Sequence, residues 1–319
     1  MYSFDPSERR ALGRTGLRVS GVCLGSGGLG SLPQLFGYET PEGQAIDTVL
    51  AAFESPLNFY DTSAGYSDGE SERRIGSALA RVGGLPSGWV LETKVDPVDG
   101  RFDGDAVRRS VEGSLERLGV DTVQLLHLHD PERISFDEAM SPRGAVRELI
   151  RLRDEGIAGH LAVAGGPVET LLQYLETGIF EAVLTHNRFT LLDRSAEPLL
   201  QRATELGIGV LQAAPFGGGV LAKGVGTFDT YAYQPMNDET RRRAEALTSL
   251  CADSGVPLGA AALQFSLRDE RITSTVVGVT KPQRIQQTLE WASWPIPDQL
   301  WAEIEENAGT DAGLPNTTT

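Results

Sequence analysis

Along the chain, short apolar runs alternate with longer stretches in which apolar residues recur every three or four positions. Eight runs stand out: Val22-Ser26, Leu57-Asp61, Trp89-Lys94, Thr122-His129, Gly159-Ala164, Ala182-Asn187, Gly209-Ala214 and Thr275-Val279. Each has the length of a buried strand. Between two of them, Asp105-Leu118 sets Val107, Val111, Leu115 and Leu118 at helical spacing, which gives one apolar face. Strands separated by helices pair in parallel through crossovers. Eight such units in roughly 260 residues predict a closed (β/α)8 TIM barrel. The alternative, an open doubly wound sheet, wants G-x-G-x-x-G after its first strand, and Leu24-Gly25-Ser26-Gly27-Gly28 lacks that spacing. Residues 1–319 therefore read as a single barrel domain. Leu12 to Val19, with Gly13-Arg14-Thr15-Gly16 between apolar pieces, predicts a short β-hairpin plugging the N-terminal end of the barrel. An extra C-terminal helix is expected after the last unit, and residues from about 307 read as a flexible polar tail.

Charge narrows the function. The net charge of −16 repels nucleic acid and anionic membranes, so neither is expected as a partner and a small-molecule substrate is. No apolar run approaches the ~18 residues that span a bilayer. The opening MYSFDPSERR has no apolar signal segment, and a cytoplasmic location is expected. Cys23 and Cys251, far apart and near no histidine cluster, read as buried small hydrophobes, and no metal site is expected. So acidic a chain would also repel a phosphate-bearing cofactor unless it built a local positive site. Only Lys94, Lys223 and Lys281 are lysines; the remaining 25 of the 28 basic residues are arginine. All three lysines follow predicted strand ends, which concentrates compact positive charge on one rim.

Barrels of this kind carry their chemistry at the C-terminal ends of strands. Strand two ends in Asn58-Phe59-Tyr60-Asp61 and runs into Thr62-Ser63-Ala64-Gly65-Tyr66. Strand three ends in Glu92-Thr93-Lys94, and strand four in His127-Leu128-His129-Asp130-Pro131. Singly, these residues suit a helix cap, a surface loop or a solvated strand end. Jointly they put an acid, a phenol, an ammonium and an imidazole on one rim, and Asp61, Tyr66, Lys94 and His129 become the candidate catalytic set.

The stretch Asn58-Phe59-Tyr60-Asp61-Thr62-Ser63-Ala64-Gly65-Tyr66, with Glu70-Ser71-Glu72 and Ile75-Gly76, resembles the signature of the aldo-keto reductases. Leu91-Glu92-Thr93-Lys94 and Leu126-His127-Leu128-His129 are similar to that family's next two motifs. The resemblance implies an NAD(P)(H)-dependent oxidoreductase that moves a hydride between nicotinamide and a carbonyl or alcohol. It implies Tyr66 as proton donor, Lys94 and Asp61 as its tuning pair, and His129 as the group orienting the carbonyl. An ammonium beside Tyr66 is expected to bring the phenol down toward the working range.

By the same resemblance, cofactor contacts are expected from Gly27, Gly28, Asp61, Asn187, Pro215, Phe216, Gly218 and Lys223, and from Gly278, Thr280, Lys281, Arg284, Gln287 and Thr288. Arg284 stands where the family often grips a 2′-phosphate, favouring NADP(H) over NAD(H). Some positions depart from the family. Val163-Ala164-Gly165-Gly166-Pro167 replaces a Ser-Asn, Val183 is set against a glutamine, and Ala213 against an aromatic. Arg188-Phe189-Thr190-Leu191-Leu192-Asp193 and Ala214-Pro215-Phe216-Gly217-Gly218-Gly219 are similar to the branch of L-galactose dehydrogenase and D-threo-aldose 1-dehydrogenase, which implies a sugar oxidised at C1. A cofactor-sensing binding subunit is the rival reading. Aromatics in Leu32–Tyr38 and Phe228–Tyr233 either line the pocket mouth or pack on the rim. Finally, alternation places Glu92 below Lys94 and His127 below His129, so these two are expected to meet inside the barrel and support Lys94 from beneath.

Overall fold

The structure is a computed structural model in which residues 3–306 are described; the expected tail lies outside them. Eight parallel strands close into a barrel: β1 Val22–Gly25, β2 Phe59–Asp61, β3 Val90–Val95, β4 Val123–His129, β5 Ala158–Gly165, β6 Ala182–His186, β7 Gly209–Ala213 and β8 Ser274–Gly278. They lie in chain order, and β8 closes the ring against β1 and β7. Each of the eight predicted runs supplies one strand. Ten helices matter below or cover the barrel: α1 Glu42–Phe53, α2 Glu70–Val82, α3 Gly104–Leu118, α4 Ala145–Asp154, α5 Val168–Leu175, α6 Glu197–Leu206, α7 Asp238–Asp253, α8 Leu258–Leu267, α9 Pro282–Ala292 and the extra C-terminal α10 Asp298–Glu306. No single helix among the described residues is long and apolar enough to cross a membrane.

Two-residue alternation sorts the strand side chains into an inner and an outer set. Cys23, Phe59, Val90, Leu125, Ala162, Ala182, Leu184, Leu211 and Val276 cluster inside the barrel. Their neighbours Leu24, Tyr60, Leu91, Leu126, Val163, Val183, Val210 and Val277 pack against the helical layer. Outward-facing branched residues seal each strand to its helices, and such burial contributes roughly 1.5–3 kcal/mol per large side chain. The inner set fixes what can face the mouth: it places Asp61, Lys94 and His129 on the same parity as Phe59, Val90 and Leu125.

The barrel floor is closed by the expected hairpin, in which Arg10–Ala11 pairs antiparallel with Arg18–Val19. Leu12 is fully buried and joins the inner cluster. Gly13 adopts φ +52, and a Cβ there would stand 2.2 Å from the Gly209 amide nitrogen, so no larger residue allows the turn to seat against β7.

The segment after β7 is a compact excursion in which the glycine turn Gly217–Gly219 is followed by a short helix, Val220–Lys223, and a small hairpin pairing Thr230–Tyr231 with Gln234–Pro235. Its aromatics divide between the two readings made for them. Tyr231 is buried and donates to the Asn187 carbonyl at 2.9 Å, while a Cβ on Gly217 would meet its ring at 2.3 Å. Phe228 likewise packs on Gly219. Tyr233 instead reaches across to Phe36 of the β1 loop, edge to face, with centroids 6.0 Å apart.

Candidate active site

At the C-terminal rim, β2, β3 and β4 bring Asp61, Tyr66, Lys94 and His129 together, as the sequence led one to expect. Lys94, only 1% exposed, forms an ion pair with Asp61, donates to the Thr62 carbonyl at 2.8 Å and lies 3.1 Å from the Tyr66 hydroxyl. Burial works against the Lys94 ammonium, yet the Asp61 carboxylate and its other acidic neighbours hold its pKa above the ordinary value. Burial also pushes Asp61 up to about 6, against the pull of Lys94. A charge pair this deep is costly to break, because the remaining partner is stranded in a poorly solvated site.

Tyr66 corrects one expectation. Lys94 does favour its ionised form, but burial outweighs that pull and raises the phenol above its ordinary value. The sign follows from half-buried Tyr66 standing against the buried Lys94–Asp61 pair: the ammonium's charge is already balanced by the carboxylate, whereas desolvation of a phenolate is not.

His129 packs edge to face on Tyr66, with ring centroids 5.8 Å apart. Its Nδ1 lies 2.9 Å from Asp96 Oδ1 and 3.1 Å from Ser63 Oγ. Neither Asp96 nor Ser63 was picked out in the sequence. The signal was available for Asp96: the parity that carries Glu92 inward one step below Lys94 carries Asp96 inward one step above it. Burial would raise the Asp96 carboxyl, but His129, Ser63 and the Gly65 amide hold it well below the ordinary carboxylate range.

Beneath the set, the expected pair is present. Glu92 and His127 are both fully buried, with His127 Nε2 and Glu92 Oε2 3.0 Å apart. Burial pushes Glu92 up to about 7 and lowers His127 well below its ordinary value. On the outer face of the same strand, Thr93 donates to Glu72 of α2 at 2.6 Å, and Arg117 of α3 pairs with the other Glu72 oxygen at 2.7 Å. The signature glutamate Glu72 therefore locks β3 to its helices.

The remaining rim is sparser. Gly27 borders Tyr66, where a Cβ would find nothing nearer than the Tyr66 ring at 4.0 Å, and at Gly278 a Cβ would find nothing within 4 Å. Gly28 packs tightly on Thr280, whose hydroxyl is 3.5 Å from Tyr38. Val183, set against the family's glutamine, faces the helical layer; the last residue of β6 on the inward parity is His186. His186, missed in the sequence, packs under Gly166 and has its pKa lowered by burial to about 4. Asn187 follows it at φ +60, with its Oδ1 buried and unpartnered. Ala213 borders the inner cluster, and Pro215 and Gly218 lie in the turns that follow it. Lys223 is exposed, its ammonium 5.4 Å from the Phe228 ring centroid.

At the end of β8, exposed Lys281 precedes the first turn of α9. The Arg284 guanidinium is hydrogen-bonded to Gln287 and lies 5.3 Å from the Trp291 ring centroid, and Phe216 meets the same indole edge to face at 5.6 Å. Thr288 is corrected: it is buried, and its hydroxyl is spent on the Arg284 carbonyl at 2.7 Å, so it presents no polar group to a ligand.

A sequence profile described as the Aldo/keto reductase family matches residues 22–308. Over 96% of the chain and 98% of the relative, the sequence is 30% identical to D-threo-aldose 1-dehydrogenase of a Pseudomonas species. It is 31% identical to L-galactose dehydrogenase of Arabidopsis thaliana, covering 93% of each. Among solved structures, the fold matches an aldo-keto reductase of Bacillus halodurans in its holo form with TM-score 0.76, at 21% identity, covering 96% of this chain and 97% of that one.

Proposed function

We propose that this chain, which belongs to the aldo/keto reductase family, is an NADP(H)-dependent dehydrogenase of aldose-type substrates, exchanging a C1 hydroxyl for a carbonyl. The observation that carries the reading is the Tyr66 phenol held 3.1 Å from Lys94, which is itself buried against Asp61. The sugar is suggested by the names of the two relatives; the chain as an oxidoreductase using a nicotinamide cofactor follows from its family.

The residues present fit such a cofactor. Gly27 borders open space beside Tyr66, Gly278 borders open space at the end of β8, and the buried Asn187 Oδ1 lacks a partner that an amide N–H would supply. His186 and Asn187 would face the nicotinamide end. Lys281, Arg284 and the first amides of α9 would hold the phosphates, supplying the local positive site that a chain of charge −16 needs. When bound, the cofactor supplies hydride exchange. The chain's own residues do the rest. In the reducing direction Tyr66 gives its phenolic proton to the carbonyl oxygen as negative charge grows there, in the oxidising direction the hydroxyl returns that proton to Tyr66, and the phenol stays aimed at the oxygen through Lys94. Asp61 keeps Lys94 charged and in place. His129 borders the same oxygen position beside Tyr66. The rival reading, a cofactor-sensing subunit, gains no support from this geometry.

Steady-state turnover tests the proposal. Purified protein is assayed with NADP+ or NAD+ against a panel of aldoses, and with NADPH or NADH against aldehydes. Turnover of an aldose with a preference for NADP+ is expected. Cofactor binding with no turnover of any panel member would overturn the reading.

A further inference from the structure

Glu92 stands between two polar partners inside the barrel. Across β2 and β3 it is in register with Asp61, and the two carboxyls are hydrogen-bonded to each other. On its other side, Glu92 Oε2 lies 3.0 Å from His127 Nε2. All three side chains are buried, Glu92 and His127 completely. A carboxyl–carboxyl contact is repulsive unless a hydrogen lies between the oxygens, and so is a carboxyl–imidazole contact between two lone pairs. Two hydrogens must therefore be placed.

The first belongs to the imidazole. His127 Nδ1 is buried with no partner among the described residues, and Glu92 Oε1 has no N–H against it. A hydrogen on Nδ1, as an imidazolium or the other neutral tautomer requires, would strand a donor in the barrel interior. The imidazole hydrogen therefore sits on Nε2 and is given to Glu92 Oε2. The second hydrogen comes from one of the two acids, and Lys94 decides which. Its ammonium is bonded directly to Asp61, so negative charge gathers there and the proton stays on Glu92. The titratable groups facing Glu92 are Asp61 on β2, Lys94 on β3, His127 on β4 and, on β1, the Cys23 thiol, which burial pushes up. Burial raises both carboxyls, in keeping with one proton held between them.

We propose that Glu92 is a positioning residue that works as a neutral carboxylic acid: it accepts from His127, donates its O–H to Asp61, and leaves Asp61 with the single negative charge that Lys94 balances. This role rests on the reading of Tyr66 as proton donor and deepens it. Below the phenol, the file then runs ammonium, carboxylate, carboxylic acid and imidazole, with no net charge. As Tyr66 yields its proton to a carbonyl oxygen, negative charge grows on the phenol 3.1 Å from Lys94. A second carboxylate beneath Asp61 would oppose that charge and divide the pull of Lys94 between two acids. Glu92 in its acid form spares Tyr66 that opposition. Carbonyl reduction should accordingly be fastest with Glu92 protonated and should slow as pH rises through about 7, where Glu92 ionises.

The unmodified full chain, with neither cofactor nor substrate added, gives the first test. Infrared spectra at about pH 6, where ordinary glutamates are ionised, should show the C=O stretch of a protonated carboxyl. The band should fade as pH is raised through about 7. Labelling glutamate carboxyl carbons with 13C should move it, and labelling aspartate should not. No acid band, or one that moves only with the aspartate label, would overturn the proposal whatever the enzyme's substrate. Glu92→Gln supplies the second arm. Its amide N–H can face Asp61 and its C=O can accept from His127, a permanent copy of the acid form. The band should vanish. The decline of NADPH-dependent aldehyde reduction between about pH 6 and about 8, roughly three- to tenfold in the parent, should vanish with it. A band that survives the substitution, or a pH profile parallel to the parent's, would equally overturn it. Absence of turnover on every aldehyde bears on the oxidoreductase reading alone, and the spectra still decide where the proton lies.

Discussion

The β2–β4 side of the rim and the β5–β8 side are built on opposite plans. On the first, Asp61, Lys94, Tyr66, Asp96 and His129 form a patch in which each side chain is hydrogen-bonded to a neighbour. On the second, Gly166, Ala213, the Gly217–Gly219 turn and Gly278 leave backbone and small residues at the mouth. The exposed cations Lys223 and Lys281, and Arg284 on α9, sit farther out. The difference follows from what each side must hold. Proton transfer to a defined atom needs fixed donors in a dry site. A large dinucleotide instead needs room, amides and a few outlying cations.

Four perturbations probe that contrast. The largest effect is expected from Tyr66→Phe, which removes only the transferable proton. Turnover should fall ~10²–10⁴-fold, while NADPH titration shows cofactor affinity retained; a variant keeping most of its hydride-transfer rate would remove Tyr66 as the donor. Next comes Lys94→Ala, which strands Asp61 in a buried site. Denaturant unfolding should show a loss of roughly 3–5 kcal/mol. The partner variant Asp61→Asn in the same background should recover part of it, and no recovery would mean that the pair is not the source.

The third perturbation concerns Glu92→Gln, which keeps a hydrogen bond to His127 and removes the charge. Glu92 titrates near 4.5 ordinarily and near 7 in the folded chain. The folded state therefore binds this proton more tightly, so the stabilisation is complete below pH about 4.5 and is lost as pH rises through about 7. The parent should lose up to about 3 kcal/mol across that window relative to Glu92→Gln. Parallel stability curves for the two proteins would show that Glu92 is not perturbed, and an unchanged turnover and pH profile would end its supporting role under Lys94. The smallest effect belongs to the sparse side. Arg284→Ala should weaken NADP(H) by roughly 1.5–3 kcal/mol, with NAD(H) nearly unaffected in the same titration. Equal weakening of both would remove Arg284 from the 2′-phosphate.

The same contrast governs what could be read from the sequence. Short continuous apolar runs and helical spacing delivered the barrel, because each strand between helices must bury both faces. Parity along β3 and β4 foretold the Glu92–His127 pair before any coordinates. It was not applied upward to Asp96, nor along β6, where the inward sequence Ala182, Leu184, His186 leaves Val183 outside. The sign of the Tyr66 shift was illegible for another reason: whether burial or an ammonium prevails depends on how the ammonium's charge is already balanced. Side-chain directions on the β8 side, such as Arg284 lying along its own helix toward Trp291, depend on packing that no local pattern encodes.

The scarcity of lysine has a practical consequence. Lys94 is sealed in the rim, whereas Lys223 and Lys281 are exposed, the first after β7 and the second at the start of α9. Reagents that acylate side-chain amines would meet only those two. Beads or dyes attached through these two lysines would sit beside the barrel mouth, giving a more oriented conjugate than a protein with lysines on all sides. Catalysis on such a bead should suffer more than on one coupled through carboxyl groups, which this acidic surface offers on all sides.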